Sequence, residues 1–159
     1  MAVELNIEGL DAFNKKIAEL KDVKKVRSRG LAAARKAMKI VQLSAKIGAA
    51  YIDDPETRED IEKNIVIRAG KSRSLLTVRM RVGVQGGAAM NAKSNREKLA
   101  SLPGGNTTHW RYIEFGTSQI PAVPFMRPAL EQNIQKVTDE FAKSFMKSIE
   151  TAIAKGKIS

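Results

Sequence analysis

The chain has 159 residues and no cysteine, and its 28 lysines and arginines against 17 acids give a net charge of +11 at pH 7. This length predicts one domain over residues 1–159, and the missing cysteines exclude disulfide bonds and thiolate metal sites. No apolar run approaches the roughly 18 residues of a membrane helix, residues 1–13 do not resemble a signal peptide, and the charge favours polyanions or acidic proteins as partners.

The first third of the chain predicts a strand followed by two helices. Residues 3–7 alternate apolar and polar side chains, which is the period of a half-buried strand. Helical spacing then predicts an amphipathic helix over residues 10–21, with Asp11 as its N-cap. A longer helix follows over residues 22–50, in which Gly30 either marks the start or bends the axis. Its predicted inner face consists of Val26, Leu31, Ala34, Met38, Val41 and Ala45.

The longer helix is densely basic near its start. Between residues 21 and 39 there are eight lysines or arginines against one acid, Asp22. Two interpretations stay open: a surface for an acidic partner, a nucleic acid or a membrane surface, or a solvated face of a helix that packs on its own sheet. The candidate cations are Lys24, Lys25, Arg27, Arg29, Arg35 and Lys36.

An acidic segment follows the long helix. Residues 53–57 predict a turn, because Pro55 disfavours a helical conformation at the residue before it. The acids after it suit the first turn of a short helix, whose N-terminus attracts negative charge. Their spacing lacks the alternating ligands and central glycine of a calcium loop, so we expect no metal site.

Two alternating segments, residues 64–68 and 75–84, predict an antiparallel β-hairpin. One face of the second strand is apolar and the other is polar. The outer face of the hairpin carries Arg68, Arg79 and Arg81, which makes a second basic surface distinct from the helix.

The remaining chain predicts a long loop, a strand and one long helix. Residues 85–108 have little periodicity, so we expect a mobile loop there. Residues 109–115 are aromatic and predict a return to the sheet. Apolar residues at steady three-to-four spacing predict a single helix over residues 126–154, with Pro128 in its first turn. The predicted fold is α+β, with N-terminal helices and a long C-terminal helix packed on a small, mainly antiparallel sheet.

The sequence offers no catalytic constellation. His109 is the single histidine and has no cysteine or second histidine to share a metal. Glu114 is expected to form a structural ion pair with Arg111 or Arg127 rather than to act as a general base. We therefore expect no enzyme activity, no cofactor and no metal.

Residues 110–130 concentrate the rare residue types of the chain, in the pattern W-x-Y-x-E-F-G-T followed by P-A-x-P-F-M-R-P-A-L. This pattern resembles the tail-completion or neck protein family of lambda-like long-tailed bacteriophages, whose members also join a hairpin to a long C-terminal helix. The match is carried by Trp110, Tyr112, Glu114, Phe115, Gly116, Thr117, Pro121, Ala122, Pro124, Phe125, Met126, Arg127, Pro128 and Ala129.

The resemblance implies a structural virion protein of the phage neck. Such proteins form a ring, typically a hexamer, at the head-proximal end of the tail. The implied partners are other copies of the chain, a tail terminator or tail tube protein, a head-completion or connector protein, and, transiently, phage DNA in the lumen. The implied location is the virion, after a period in the host cytoplasm, with no membrane contact.

Two questions stay open at this point. The proline-rich turn and Phe125 are either near a subunit contact or serve only to fix the last helix on the sheet. The competing class of function is a basic nucleic-acid-binding module without catalysis. Such a module stacks bases on aromatic side chains placed among its cations, whereas here aromatic and basic residues occupy separate stretches.

Overall fold

The fold is α+β, as the sequence predicts, with a two-stranded antiparallel sheet in the part of the chain described here. The computed structural model describes residues 22–53, 56, 59–75, 77–87 and 95–155. The strand and the helix predicted over residues 3–7 and 10–21 lie outside these ranges. The described elements are α1 (Val23–Ala50), α2 (Ile61–Asn64), β1 (Ile65–Ala69), β2 (Met80–Val84), α3 (Arg96–Ala100), α4 (Trp110–Phe115), α5 (Met126–Glu131) and α6 (Ile134–Ala154).

Helix α1 is the element on which the other elements pack. It begins at Asp22, whose carboxylate accepts the backbone N–H of Lys25 at 3.0 Å, and it continues through Gly30 without interruption. Its inner face is shifted from the predicted one, since only Val41 and Ala45 of the predicted set are buried. The other four predicted residues are half-buried: Val26, Leu31, Ala34 and Met38. Small residues let neighbouring elements approach closely. The buried residues are Gly30, Ala33, Ala37, Val41, Ala45 and Ala49.

Helix α6 runs antiparallel to α1. Arg29 donates to the side chain of Ser148 near the start of α1, whereas Lys36, one to two turns later, pairs with Glu140 at 2.7 Å. Residue numbers therefore fall along α6 as they rise along α1. Ile149 and Ala152 form a small second core here.

The hairpin confirms the predicted antiparallel pairing, with β1 and β2 in the register Ile65↔Val84 and Arg68↔Arg81. Directly opposed residues share a face of the sheet. Ile65, Val82 and Val84 consequently face α1 and join the main core. This core contains the buried residues Val41, Ala45, Ala49, Ile61, Ile65, Phe125 and Ala129.

The acidic segment supplies caps for α2, as its composition suggests. Asp60 is the N-cap and accepts the backbone N–H of Lys63 at 3.1 Å. Asp53 accepts the backbone N–H of Ile61 at 3.0 Å from the preceding turn. These bonds satisfy N–H groups that a helix start leaves without partners.

Residues 85–108 are not wholly irregular, which corrects the sequence prediction. They include α3, capped by Asn95, with Leu99 buried. The side chain of Asn64 donates to Gly105 O at 2.9 Å and Thr107 Oγ1 at 2.7 Å. It also accepts the N–H of Gly104 at 2.9 Å. A five-residue helix is too short to show periodicity. The order of residues 104–107 depends on Asn64, about 40 positions away in the chain, so local patterns could reveal neither feature.

The predicted strand over residues 109–115 is wrong, because this segment forms helix α4. Trp110 and Ile113 are three residues apart and pack on the main core. Gly116 ends the helix with a φ of 73° and donates its N–H to Tyr112 O. Aromatic residues favour strands on average, but contacts with the rest of the fold override that preference.

The predicted single helix over residues 126–154 is two helices, α5 and α6, with Phe125 as the N-cap residue of the first. Asn133 separates them. Its side-chain amide donates to Ala129 O at 3.0 Å, and its backbone N–H donates to Leu130 O. Asparagine side chains compete in this way with the regular helical ladder, so the apolar spacing continues across the break although the helix does not.

Candidate functional site

The centre of the motif is the buried carboxylate of Glu114. The side chain is 1% exposed. It accepts the backbone N–H groups of Phe125 at 2.7 Å, Met126 at 2.9 Å and Arg127 at 3.0 Å. These donors belong to the start of α5, where a helix leaves N–H groups free and favours negative charge. One side chain of α4 therefore caps the next helix across the intervening turn.

Arg127 completes this cap. Its Nε donates to Glu114 Oε1 at 3.2 Å and its terminal nitrogen donates to Glu114 O at 3.0 Å. The guanidinium also lies over the Phe115 ring, 5.2 Å from the ring centre. The expected structural ion pair is confirmed with Arg127 as the partner. The carboxylate of Glu114 is therefore bound by groups of the subunit itself, namely three backbone N–H groups and the Arg127 side chain.

The turn between α4 and α5 has a defined conformation. Thr117 donates its N–H to Ile120 O at 2.9 Å, and Val123 donates its N–H to Ile113 O at 2.8 Å. At Gly116 a β-carbon would lie only 2.8 Å from the Ala122 nitrogen. The positive φ and this close approach both require glycine. The turn is therefore fixed by the glycine at its start and by these two backbone hydrogen bonds.

The motif leaves an apolar surface exposed. We call this the motif surface; it consists of Tyr112, Phe115, Ile120 and Val123, which are 49–58% exposed. Pro121 and Pro124, in the same turn, are exposed as well. Tyr112 and Phe115 lie on α4, and Ile120 and Val123 lie on the turn that follows it. Exposed apolar side chains grouped in this way are of the kind that marks interaction sites.

Phe125 is not part of this surface. It is 3% exposed and belongs to the main core. A β-carbon on Gly48 of α1 would lie 3.0 Å from Phe125 Cβ. Phe125 therefore packs inside the subunit, on α1 and the main core, and a subunit contact at the proline-rich turn stays a prediction.

A second exposed apolar surface lies on α1 and was not predicted. We call this the α1 stripe; it consists of Leu43, Ile47 and the C-cap residue Tyr51, which are 61%, 53% and 87% exposed. The spacing of four residues places them on one side of the helix. The sequence does contain a signal for this stripe, because Leu43, Ile47 and Tyr51 alternate with the buried residues Ala45 and Ala49.

The motif surface and the α1 stripe lie on different elements of the fold. Trp110 and Ile113 of α4 pack on the main core, to which Val41 and Ala45 of α1 also belong. Helical periodicity turns Leu43 and Ile47 to the side of α1 away from Val41 and Ala45, and it turns Tyr112 to the side of α4 away from Trp110. The protein therefore exposes two separate sets of apolar side chains on elements that share one core.

The basic residues of α1 do not form one free face. Arg27 donates to three backbone oxygens of the hairpin connection, the closest being Thr77 O at 2.7 Å. Lys25 pairs with Asp22 at 3.0 Å. Arg29 binds Ser148 and Lys36 binds Glu140, as described above. Lys24 and Arg35 are exposed, so most of the predicted helix cations serve the fold.

Two of these contacts change the acidity of a carboxyl group. The side-chain hydrogen bond from Lys36 lowers the pKa of Glu140 below its ordinary value of 4.5. The backbone N–H of Lys25 is the main cause that lowers the pKa of Asp22 below its ordinary value of 3.8. Both effects favour the charged form of the acid at neutral pH.

The three hairpin arginines, Arg68, Arg79 and Arg81, are brought together on the outer face of the sheet, where all three are exposed. His109 lies elsewhere, with its Nδ1 3.4 Å from Glu59 Oε2. Among the described residues, no group of three or more His, Cys, Asp or Glu side chains is arranged to hold a metal ion. None of the described helices is both long enough and apolar enough to cross a bilayer.

Comparison with models of known protein families identifies a family for this chain. A family model named HK97-gp10-like, described as "Bacteriophage HK97-gp10, putative tail-component", matches residues 11–116, about two thirds of the chain. The match includes α1, the hairpin and α4, and it ends at Gly116, before the proline-rich part of the motif. No match was found among curated proteins or among solved structures.

Proposed function

Because this chain belongs to the HK97-gp10-like family of bacteriophage tail components, we propose that it is a structural protein of the phage neck. In this proposal it is a tail-completion protein that forms a ring at the head-proximal end of the tail and joins the tail to the head connector. The observation that carries the proposal is the pair of separate exposed apolar surfaces on the subunit, the motif surface and the α1 stripe.

Two different exposed surfaces suit a head-to-tail contact between identical subunits. In such a contact the motif surface of one copy packs on the α1 stripe of the next copy, so a single interface type covers both surfaces. A two-fold dimer formed through the motif surface alone would leave the α1 stripe exposed. Repetition of the contact closes a ring when the rotation between copies divides a full turn, and we propose six copies.

The exposed apolar area is large enough for a weak contact between two isolated subunits. The motif surface exposes roughly 300–400 Å² of side chain, if an aromatic side chain carries about 150–250 Å². A stable interface buries about 800 Å² on each partner. We therefore expect polar surface around the two patches to join the contact and the ring to form more readily at high concentration or on the tail itself.

The Glu114 cap supports a docking role because it fixes the turn before any partner arrives. Ordering a flexible turn on binding lowers affinity, whereas a rigid turn avoids that cost. The Pro121 and Pro124 positions and the bonds across Thr117 and Val123 act in the same direction. The partners of this ring are proposed to be a tail terminator or tube protein on one side and a head-completion or connector protein on the other.

The proposal involves no catalysis, no cofactor and no metal, and it places the protein in the virion after assembly in the host cytoplasm. DNA that passes through the lumen would meet the basic side chains of the subunits. Electron microscopy of virions labelled with an antibody against this protein tests the location. We expect label at the head-proximal end of the tail, and label along the tube or at the distal tip would overturn the neck assignment.

A matched pair of variants tests the surface within the same virion system. Tyr112→Ser with Phe115→Ser removes the aromatic part of the motif surface, whereas Leu75→Ser changes an equally exposed apolar residue, 54% exposed, in the hairpin connection. We expect the double variant to leave tails unjoined to heads and the Leu75→Ser protein to support joining. Equal joining with both proteins would remove the motif surface from the proposal.

The alternative function, a nucleic-acid-binding module that works as a single subunit, has one observation in its favour, the cluster of hairpin arginines. A nucleic-acid-binding module of this kind is expected to stay monomeric at every concentration and in the virion, whereas the proposed tail-completion protein is expected to form a ring. The mass of the native protein therefore separates the two functions.

A further inference from the structure

The outer face of the hairpin holds three arginines at close quarters. Arg68 and Arg81 are directly opposite in the register of β1 and β2. Gly70 donates its N–H to Arg79 O, and a β-carbon on Gly70 would lie 2.8 Å from Arg79 Cδ and 3.2 Å from Arg81 Nε. We call these three residues the arginine face. Like charges directly opposite in a sheet destabilise it, so the arrangement has a cost for the isolated subunit.

Nothing in the described part of the chain balances this charge. The ion pairs found there involve other cations, and neither an ion pair nor a hydrogen bond from the side chains of Arg68, Arg79 or Arg81 is found within the described ranges. Residues 68–81 contain five lysines or arginines and no acid. The arginine face therefore differs from α1, whose cations mostly bind carboxylates or backbone oxygens.

The arginine face borders a shallow concave surface of about 570 Å³. Arg68, Gly70, Lys71 and Arg81 line it, together with Gly83 of β2. Nothing lies within 4 Å of where a β-carbon on Gly83 would be. The concavity is open to solvent. It suits an elongated, charged ligand better than a small enclosed molecule, because an enclosed apolar pocket is the usual site for the latter.

We propose that the arginine face binds the phosphodiester backbone of double-stranded DNA without reading its sequence. Guanidinium groups match phosphate oxygens in geometry and stay charged at all working pH values. Contacts of cations with phosphates give affinity but carry no base information. The arginine face has no aromatic residue on which an unpaired base could stack, so the duplex, rather than single-stranded nucleic acid, is its ligand.

An acidic protein surface fits the arginine face less well. Arginine occurs in protein interfaces too, but the centres of such interfaces are depleted in charge overall and enriched in aromatic side chains, whereas interfaces with DNA are strongly basic. The arginine face consists of three cations and contains no aromatic residue. Within the described residues, several acids are also already paired with lysine or arginine inside the subunit: Asp22, Asp60, Glu62, Glu114 and Glu140.

The inference depends on the hairpin charges and not on the ring. A protein that stays monomeric but binds DNA through this face would contradict the ring and leave the inference standing. A ring that assembles but shows no DNA binding through the arginine face would contradict the inference and leave the ring standing.

The test is the salt dependence of binding to a fluorescent duplex of about 30 base pairs, measured between about 50 and 200 mM salt. The full-length protein is compared with an Arg68→Gln, Arg81→Gln variant and with a control, Lys24→Gln, Arg35→Gln. Both variants lower the net charge by the same amount, and the control changes exposed cations of α1. Each lost phosphate contact lowers the magnitude of the log K against log [salt] slope by about 0.9.

We expect the hairpin variant to lose roughly 1.8 from that slope and the control to keep it. Equal losses in the two variants would show that only net charge matters and would overturn the inference. No measurable binding at physiological salt, or binding of poly-glutamate through the same two arginines in place of DNA, would overturn it as well. The hairpin variant is expected to unfold at the same or a slightly higher temperature, because it relieves like-charge repulsion, so misfolding does not explain the loss.

Discussion

The carboxylate of Glu114 lies 2.7 Å from the backbone nitrogen of Phe125 and accepts its N–H. Glu114 is followed in the chain by Phe115, whose ring is exposed, and Phe125 is buried in the main core. The bond therefore joins the exposed aromatic surface of α4 to the start of α5. Through it, the position of the motif surface is set by the core of the subunit.

Removal of the Glu114 carboxylate should destabilise the subunit. Glu114→Ala leaves three backbone N–H groups at the start of α5 without their acceptor, and each unsatisfied buried group costs about 1–3 kcal/mol. We expect a loss of at least about 3 kcal/mol in the free energy of unfolding, measured by urea denaturation. The control is Glu131→Gln, an exposed acid of α5, which should change stability by less than about 0.5 kcal/mol. A Glu114→Ala protein as stable as the control would show that water replaces the cap.

Phe125 and Phe115 should respond differently to truncation. Phe125→Ala removes a buried ring and should cost about 3–5 kcal/mol, enough to unfold much of the protein. Phe115→Ala removes a ring that is 57% exposed, so the subunit should stay folded and lose self-association. Circular dichroism and sedimentation velocity on both variants check this. A Phe125→Ala subunit that is fully folded and only fails to assemble would return Phe125 to the contact.

Gly104 should be intolerant of any side chain. A β-carbon there would overlap the backbone carbonyl oxygen of Asp60, and it would also lie 3.1 Å from Asn64 Cγ. Gly104→Ala should therefore break the contact between residues 104–107 and the start of α2, at a cost of roughly 1–3 kcal/mol or more. The comparison is Gly83→Ala, since nothing lies within 4 Å of a β-carbon on Gly83. If thermal melts gave the two variants the same melting temperature, that result would contradict this packing around Gly104.

The ion pair of Lys36 and Glu140 should be visible in a titration. The pKa of Glu140 is lowered mainly by its hydrogen bond with Lys36, so the contribution of this pair to stability is present above pH 4.5 and is lost as the pH falls through the lowered pKa. In Lys36→Gln, the pKa of Glu140 should rise toward 4.5, as measured by carbon NMR of the side chain. An unchanged pKa in that variant would mean that another group determines it.

Much of the fold follows from local sequence patterns. Apolar residues at helical spacing predicted α1, and strict alternation predicted the hairpin and the placement of its arginines on one face. These signals are local, because each depends on the period of one element. A structural ion pair of Glu114 with Arg111 or Arg127 was also predictable, since Glu114 is the only acid in residues 109–130, and the structure selects Arg127.

The errors arose where distant residues decide the conformation. Helix α4 contains aromatic residues that favour strands on average, and it is helical because Trp110, Ile113 and Glu114 all reach the core or α5. The break at Asn133 depends on a side chain that competes for Ala129 O. The order in residues 104–107 depends on Asn64. None of these contacts leaves a periodic signal in the chain.

The most direct test of the proposed assembly is native mass spectrometry on two complementary variants. One carries Tyr112→Ser and Phe115→Ser and lacks the motif surface; the other carries Leu43→Ser and Ile47→Ser and lacks the α1 stripe. We predict that the unmodified protein forms a ring of six chains, that each variant alone is monomeric, and that a mixture of the two yields a dimer with one chain of each. An unmodified protein that is monomeric at every concentration, or a mixture that yields no such dimer, would contradict the head-to-tail ring.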